Sequence, residues 1–512
     1  MQANAAPAPG VLGRFLNALE RAGNKLPDPL LLFVFIAAAI PVASWLVSLT
    51  GWTLAHPVTG KPLQVVNLLA PDQLRRMLTD AVPNFVNFPP LGVVLVAMLG
   101  IGIAEKAGLL AAGLRLLVVA LPRRALTAGV VFAGVLSNVA SDAGYVVLVP
   151  LAAAAFASVG RHPVAGLCAG FAGVAGGYSA NLLISTLDPM LAGFTQSAAQ
   201  LFDPAYTVNA AANYYFMAAS TFILTAAGAL VTERIVEPRL GPWRGGTAAT
   251  APAGLTPDER RGLRGAGVAV VLMVAGIVAL VAPEGGLLRD DKGGLDPFYK
   301  SIVPLMSLLF LAPGLVYGRI TGAVRDARTA SKMLAETVGT MGGYIVLAFV
   351  AAQFIAYFAW SNLGLMIALG GAEVLRASGL PTLALIFGVI LISAGVNLFI
   401  GSASAKWALM APVLVPMLMK LGLSPEMTQA TYRVGDSVTN VITPLMPYFP
   451  MILTFAQKWD PSLRIGTLIA NMLPYTLAFL AVWSLLLGGW YVLDLPLGPD
   501  APIRYIVPTP AE

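Results

Sequence analysis

Apolar runs of membrane-span length follow one another along nearly the whole chain, and a few of them are interrupted by charged and amide side chains. Gly395 to Pro447 is the clearest case: it reads GVNLFIGSASAKWALMAPVLVP and then, after a short gap, YRVGDSVTNVITPLMP. Asn397, Ser402, Ser404, Lys406, Trp407, Arg433, Asp436, Thr439 and Asn440 stand there between flanks of membrane-helix character. A charge near the middle of a bilayer costs about 2.5–3.5 kcal/mol on insertion scales, so it is seldom there without a task. Two such elements side by side predict a solute and ion site.

Composition supports the same setting. The 512 residues are 57% hydrophobic and 11% charged, where a soluble domain carries roughly 25% charged residues. With a mean hydropathy of +0.79, the chain reads as an all-α polytopic membrane protein. The net charge of +6 requires no nucleic-acid partner, because Lys and Arg sit mainly in loops, as in cytoplasmic loops of membrane proteins. Cys168 is the one cysteine, so no intramolecular disulfide can form, and His56 and His162 are too few for a His/Cys metal site. MQANAAPAPG lacks the basic and apolar regions of a signal peptide.

In chain order, residues 1–27 read as a tail and an interfacial amphipathic helix, and residues 28–50 as a first span. Residues 90–121 read as a long tilted or broken helix containing Glu105, Lys106 and Arg115. Residues 125–160 comprise two short apolar arms around Ser137-Asn138-Val139-Ala140-Ser141-Asp142. A span needs roughly 20 apolar residues, so these arms predict a re-entrant hairpin; two ordinary spans with a short loop are the alternative. Residues 163–187 predict a span broken at Gly176–Asn181 and closed by Asp188-Pro189, with a loop to about 210 and a span at 211–232. The Arg-rich stretch 233–264 is the strongest cytoplasmic signal. Spans follow at 265–283, 299–318 and 333–361, then a short outer helix, hairpin arms 381–400 and 403–420, and spans at 425–450 and 466–490. This divides the chain into a first half (28–232), a loop (233–264), a second half (265–493) and a tail (494–512), with nine spans, two hairpins and the N-terminus inside.

The two interrupted regions resemble each other. Asn138, a polar tip, Pro150 and Pro163 are matched by Asn397, a Ser-rich tip, Pro412 and Pro425, with equal spacing between the prolines. Each hairpin precedes a broken span, with Asp188 and Asp436 as the paired acids, and the repeats are inverted. Paired interrupted segments are the best sequence pointer to a transporter's midplane site.

Chemistry follows from residue type. Ser402 and Ser404 can cap an arm starting at Ala405, whose positive end favours an anion. The unwound carbonyls of tips and broken spans can bind Na⁺. Arg433, Asp436, Asn440 and Pro444 form one helical stripe. Arg433 can grip a carboxylate with two prongs or simply pair with Asp436. Trp407 can stack on an aromatic solute, and Lys406 can pair with a carboxylate or snorkel.

At these residues the chain resembles the AbgT family of p-aminobenzoyl-glutamate transporters. The resemblance rests on GNKLPDPLLLF (23–33), SNVASDAGYV (137–146), GGYSANLL (176–183), STLDPMLAG (185–193), NLFIGSASAKWALMAPV (397–413) and YRVGDSVTNVITPLMPYFP (432–450). It implies a bowl-shaped homodimer, with nine spans and two hairpins per protomer arranged as an inner core and an outer scaffold. It also implies transport of p-aminobenzoyl-glutamate, a folate breakdown product, or export of sulfonamide antimetabolites. The family's functional residues fall on Asp188, Asn397, Ser404, Trp407, Pro425, Arg433, Asp436 and Pro444. Ion coupling is expected from Asp188, Asp436, Asn138, Ser141, Asn181, Ser402 and Asn440, with Na⁺ or H⁺ as the coupling ion and no cofactor. An intramembrane enzyme would need a nucleophile–base pair or metal ligands, and a channel would need no ion gradient; the chain carries no HExxH and no P-loop.

Overall fold

The computed structural model describes residues 29–55, 62–140, 144–243, 254–443 and 446–507. The expected interfacial helix in 1–27, the hairpin-tip residues Ser141 and Asp142, and Pro444 lie outside the described residues.

Helix α1 (Pro29–Ser48) is followed by a two-stranded antiparallel ribbon, β1 (Thr53–Ala55) and β2 (Pro62–Gln64), in which Leu54 faces Leu63. The long stretch expected over 90–121 is two helices, α2 (Pro89–Lys106) and α3 (Leu109–Val119). They separate at Gly108, whose φ of +88° is readily adopted only without a Cβ. The chain bends by 113° between α3 and the segment containing α4 (Leu126–Leu136). Residues 137–140 form a 3₁₀ turn, and a π turn at Gly144–Leu148 leads into α5 (Val149–Ser158). Two short arms thus flank the first polar tip.

Helix α6 (Pro163–Phe171) ends in a π turn, Ala172–Gly176. Asp188-Pro189 does not close this span, as expected from the sequence; it opens α7 (Leu187–Ala199), a buried helix in place of the expected loop. The first turn of a helix has no intrahelical use for its N–H groups, so Pro189 is tolerated there, and the dipole favours Asp188 beside it.

Helix α8 (Tyr214–Val231) runs through a π turn to Leu240, beyond the expected end at 232. Helix α9 (Pro257–Val281) begins earlier than expected because Thr256 and Glu259 form a capping box. It packs on α10 (Ile302–Thr321). The span expected over 333–361 is two helices, α11 (Ala327–Thr340) and α12 (Gly342–Trp360), parted at Met341. Then come α13 (Leu363–Ala377), the second pair of arms α14 (Thr382–Asn397) and α15 (Ala403–Lys420), and α16 (Pro425–Val438). Helix α16 stops at Val438, so 425–450 is not one span; α17 (Phe449–Gln457) and α18 (Ile465–Val492) complete the chain of helices. Among the described residues, seven helices are long and apolar enough to cross a membrane, or eight if the bent pair counts as one span.

One shift of 262 positions (412 − 150 and 425 − 163) relates the two interrupted regions. It also carries the last residue of the α6 segment, Gly176, onto the last of α16, Val438, and the first of α7, Leu187, onto the first of α17, Phe449. The expected pairings of Asp188 with Asp436 and of Asn138 with Asn397 do not follow this register: Asp188 falls on Pro450, Asp436 on Val174, Asn138 on Ile400 and Asn397 on Val135.

Two large apolar clusters hold most of the fold, and two smaller ones seat α2 and α3 against α9 and α10. One large cluster gathers α4, α5, α6, α8, α14, α16 and α18. The other large one gathers α1, α7, α12, α13 and α15, and reaches α16 through Tyr432. Residues 494–507 are less of a free tail than expected. Leu497, Ala501 and Ile503 are buried, Ile503 accepts from the Ser424 backbone N–H, and Tyr505 donates its own to Gly422, both at 3.0 Å.

Candidate functional site

Every residue of α16 is buried, including Glu426, Thr428, Gln429, Thr431, Arg433, Asp436 and Ser437. Propensity and amphipathicity do not explain so polar a helix in the interior; its polar groups must find partners there. Ser424 caps it, accepting from the Met427 N–H at 3.0 Å, and Pro425 occupies the first turn. Gly435 lets α16 approach α14 closely: a Cβ would lie 2.6 Å from Ser393 Cβ and overlap the Ile390 carbonyl.

Two ion pairs lie on this helix, and neither is the Arg433–Asp436 pair that their spacing suggests. Arg433 Nη2 pairs with Asp188 Oδ1 of α7. Asp188 is further held by Ser185, whose backbone N–H and hydroxyl donate to Oδ2 at 2.6 and 2.9 Å. Asp436 Oδ1 instead takes Lys406 Nζ of α15 at 2.6 Å. Lys406 also donates to Asn397 Oδ1, and it does not snorkel, since its side chain is 1% exposed. Asn397, at the end of α14, uses its Nδ2 to reach Thr439 Oγ1 (2.9 Å) and Asn440 Oδ1 (2.8 Å). Asn440 in turn donates to the Ala175 carbonyl at 3.1 Å. That bond joins the broken segment of the second half to that of the first.

Trp407 is fully buried. Its ring stacks on Tyr432 at 4.5 Å between centroids, and Nε1 donates to Thr195 Oγ1 at 2.8 Å. The Tyr432 hydroxyl sits between the Ala403 carbonyl (2.6 Å) and Asp436 Oδ1 (3.0 Å). Helix α15 starts at Ala403, two residues before the expected Ala405, with Ser402 as its cap; Ser402 Oγ accepts from the Ala405 N–H at 3.3 Å. Ser404 is therefore in the first turn, 3.3 Å from Ser402 Oγ, and is not a cap.

A cavity of about 200 Å³ lies where these segments meet. Asn138, Lys406, Asp436 and Asn440 line it, and so do Tyr145, Tyr178 and Tyr448, with Ser185 and Thr186. Asn138 donates to the Val135 and Gly177 carbonyls at 3.1 and 3.3 Å, while its buried Oδ1 has no partner among the described residues. Tyr145 and Tyr448 stack at 4.4 Å, nearly parallel. Asp188, Asn397, Trp407 and Arg433 stand behind the lining through the bonds above. Asn181 accepts from the Leu182 and Leu183 N–H groups at 2.8 and 3.2 Å, away from the lining. Pro425 is at the opposite end of α16 from Asp436. The three tyrosines were not singled out from sequence, although Tyr145, Tyr178 and Tyr448 all fall in the motifs quoted above.

A cavity lined by polar and aromatic side chains between broken helical segments, inside a multi-helix apolar body, is the arrangement of a multi-pass membrane transporter. Residues 14–505 match the family described as "AbgT putative transporter family", and the chain belongs to the AbgT family. It is 40% identical over 502 residues to the p-aminobenzoyl-glutamate transport protein of Escherichia coli (strain K12), covering 98% of this chain and 99% of that one. The fold is similar to MtrF of Neisseria gonorrhoeae, a member of a class of antimetabolite efflux pumps (TM-score 0.90, 48% identity, 96% of this chain and 100% of that one). It is also similar to the YdaH transporter of Alcanivorax borkumensis (TM-score 0.88, 45% identity, 92% and 100%).

Proposed function

We propose that this chain is an ion-coupled secondary transporter of p-aminobenzoyl-glutamate or related aromatic amino-acyl folate catabolites. The observation that carries this reading is the cavity itself: aromatic rings and a buried lysine–aspartate pair line the same space, in a chain 40% identical to a p-aminobenzoyl-glutamate transport protein. Tyr145, Tyr178 and Tyr448 offer faces to an aminobenzoyl ring. Lys406 offers its charge to a glutamate carboxylate. Arg433 reaches a carboxylate by exchanging Asp188 for it, and Trp407 reaches a ring by leaving Tyr432. Asp188 and Asp436 serve coupling, with Na⁺ or H⁺ as the ion; Asn138, Ser141, Asn181, Ser402 and Asn440 serve its binding, and Asn397, Ser404, Pro425 and Pro444 that of the substrate. One charge moving through 100 mV supplies about 2.3 kcal/mol.

The proposed architecture is nine spans and two re-entrant hairpins in an inverted repeat, with an inner core moving against an outer scaffold. The chain works as a homodimer in the bacterial inner membrane, with its N-terminus in the cytoplasm. A second reading is sulfonamide antimetabolite efflux on the same fold, favoured by the 48% identity to MtrF.

Flux of p-aminobenzoyl-glutamate into proteoliposomes under separate Na⁺ and proton gradients tests the first reading, with Asp436→Ala and Trp407→Ala as comparisons. Loss of flux in both variants is expected. Wild-type rates in both would remove the site assignment. Accumulation of labelled sulfonamide in cells with and without the protein separates uptake from efflux.

A further inference from the structure

One directional bond fixes the indole of Trp407. An indole has a single donor, and Trp407 Nε1 gives it to Thr195 Oγ1 of α7 at 2.8 Å. The stack on Tyr432 holds the face of the ring. Stacked rings are favourable over centroid separations of about 4.5–7 Å, so the stack alone leaves the ring free to slide. Thr195 is well placed to receive the N–H. Its hydroxyl lies 2.8 Å from the Leu191 carbonyl, one turn earlier, and 2.6 Å from Gln429 Oε1 of α16. A hydroxyl has one hydrogen and two lone pairs. Leu191 and Gln429 compete for that hydrogen, and the indole N–H meets a lone pair whichever of them takes it.

Thr195, Trp407 and Gln429 are all buried, where a polar group is costly to leave without its bond. Asp188 and Thr195 stand seven positions apart on α7 (195 − 188), about two turns, and so share a face. That face holds Arg433 through Asp188 and Trp407 through Thr195. One helix thus positions both side chains that reach a solute only by leaving their present partners.

We propose that Thr195 is a positioning residue that latches Trp407. Its hydroxyl keeps the indole on Tyr432 until a solute ring arrives, and the ring gains Trp407 only when that bond opens. The inference rests on the reading of Trp407 as a ring contact and adds what controls it. The apparent affinity for an aromatic solute is reduced by the cost of opening the latch, as for any ligand whose competent state is a minor one. Removing the hydroxyl alone therefore strengthens binding, which a loss of packing support does not.

The test is equilibrium binding of p-aminobenzoyl-glutamate to the purified full-length protein in detergent, with fluorine NMR of fluorotryptophan-labelled protein as a readout that needs no solute. The Trp407 resonance is the one missing from Trp407→Phe. Thr195→Val keeps the side-chain shape and removes the hydroxyl. It is expected to bind about fivefold more tightly than wild type, the factor of one net hydrogen bond, and to show a second Trp407 resonance. Thr195→Ser is expected to match wild type in both. In a Trp407→Phe background, Thr195→Val is expected to leave binding unchanged. Weaker or unaltered binding by Thr195→Val overturns the proposal, as does an equal gain in the Trp407→Phe background. If Thr195→Val does not elute as a folded species, Thr195→Ala takes its place. If wild type binds no p-aminobenzoyl-glutamate, the substrate reading fails and the NMR decides the latch: a Trp407 resonance left single and in its wild-type position overturns it.

Discussion

Arg433 on α16 pairs with Asp188 on α7, 245 positions earlier in the chain, and both side chains are almost completely enclosed. Arg433 Nε has no partner among the described residues, so Asp188 is the main compensation for this guanidinium. Removing one member of a buried pair costs about 3–5 kcal/mol because the other charge is left alone. Asp188→Ala should therefore lower the melting temperature in detergent sharply and abolish flux. The double variant Asp188→Ala/Arg433→Met should recover much of the melting temperature without recovering flux. Equal melting of the single and double variants would show that the pair does not carry the stability assigned to it.

Trp407 separates packing from hydrogen bonding. Trp407→Phe keeps the stack on Tyr432 and loses the bond to Thr195, a change worth about 1 kcal/mol. Trp407→Ala loses the ring as well, at about 3–5 kcal/mol. Thermal melts should rank wild type, Phe and Ala in that order, with the larger step at Ala. A Phe variant as unstable as Ala would place the weight on the N–H instead.

Gly435 is the contact point of α16 and α14. Gly435→Ala has to push α14 away at Ile390 and Ser393, and overpacking of this kind costs about 1–3 kcal/mol. The same displacement moves Asn397 relative to Asp436, so flux should fall further than stability. Wild-type flux in Gly435→Ala would mean that the helices tolerate a wider separation.

His162 gives the chain a pH-sensitive turn outside its spans. Burial holds its imidazole below the ordinary value of 6.5, against the opposing pull of Asp460 and Glu237. Neutral Nδ1 accepts from the Val164 N–H at 3.3 Å and caps α6. With the folded value lowered, the unfolded chain binds the proton first as pH falls. Stability is thus complete above 6.5 and declines as pH drops below it. Melts between about pH 7 and pH 5 should show a decline in wild type that is smaller in His162→Asn, which keeps a cap without a titrating group. Parallel curves would assign the decline to other groups.

Much of this molecule can be read from its residues. Apolar runs mark the long helices, and two polar interruptions mark where the cavity lies. What cannot be read is which residue meets which. Arg433 and Asp436 are neighbours on one helical face, yet each finds its partner on another helix, because α7 and α15 bring Asp188 and Lys406 closer. Asp188-Pro189 reads as a stop when Pro is taken as a breaker, but in a first turn the same dipeptide is a start. Tyr145, Tyr178 and Tyr448 look like ordinary core aromatics in apolar sequence; only their convergence on one cavity distinguishes them.

The stretch 494–507 has a practical bearing. Backbone bonds from Ser424 to Ile503 and from Tyr505 to Gly422 fasten it to the turn between α15 and α16. A probe attached at Ile506, which is 87% exposed, would travel with those two helices. Its distance to a second probe on α9 would report displacement of the ion-paired region during a transport cycle, without any label in the cavity.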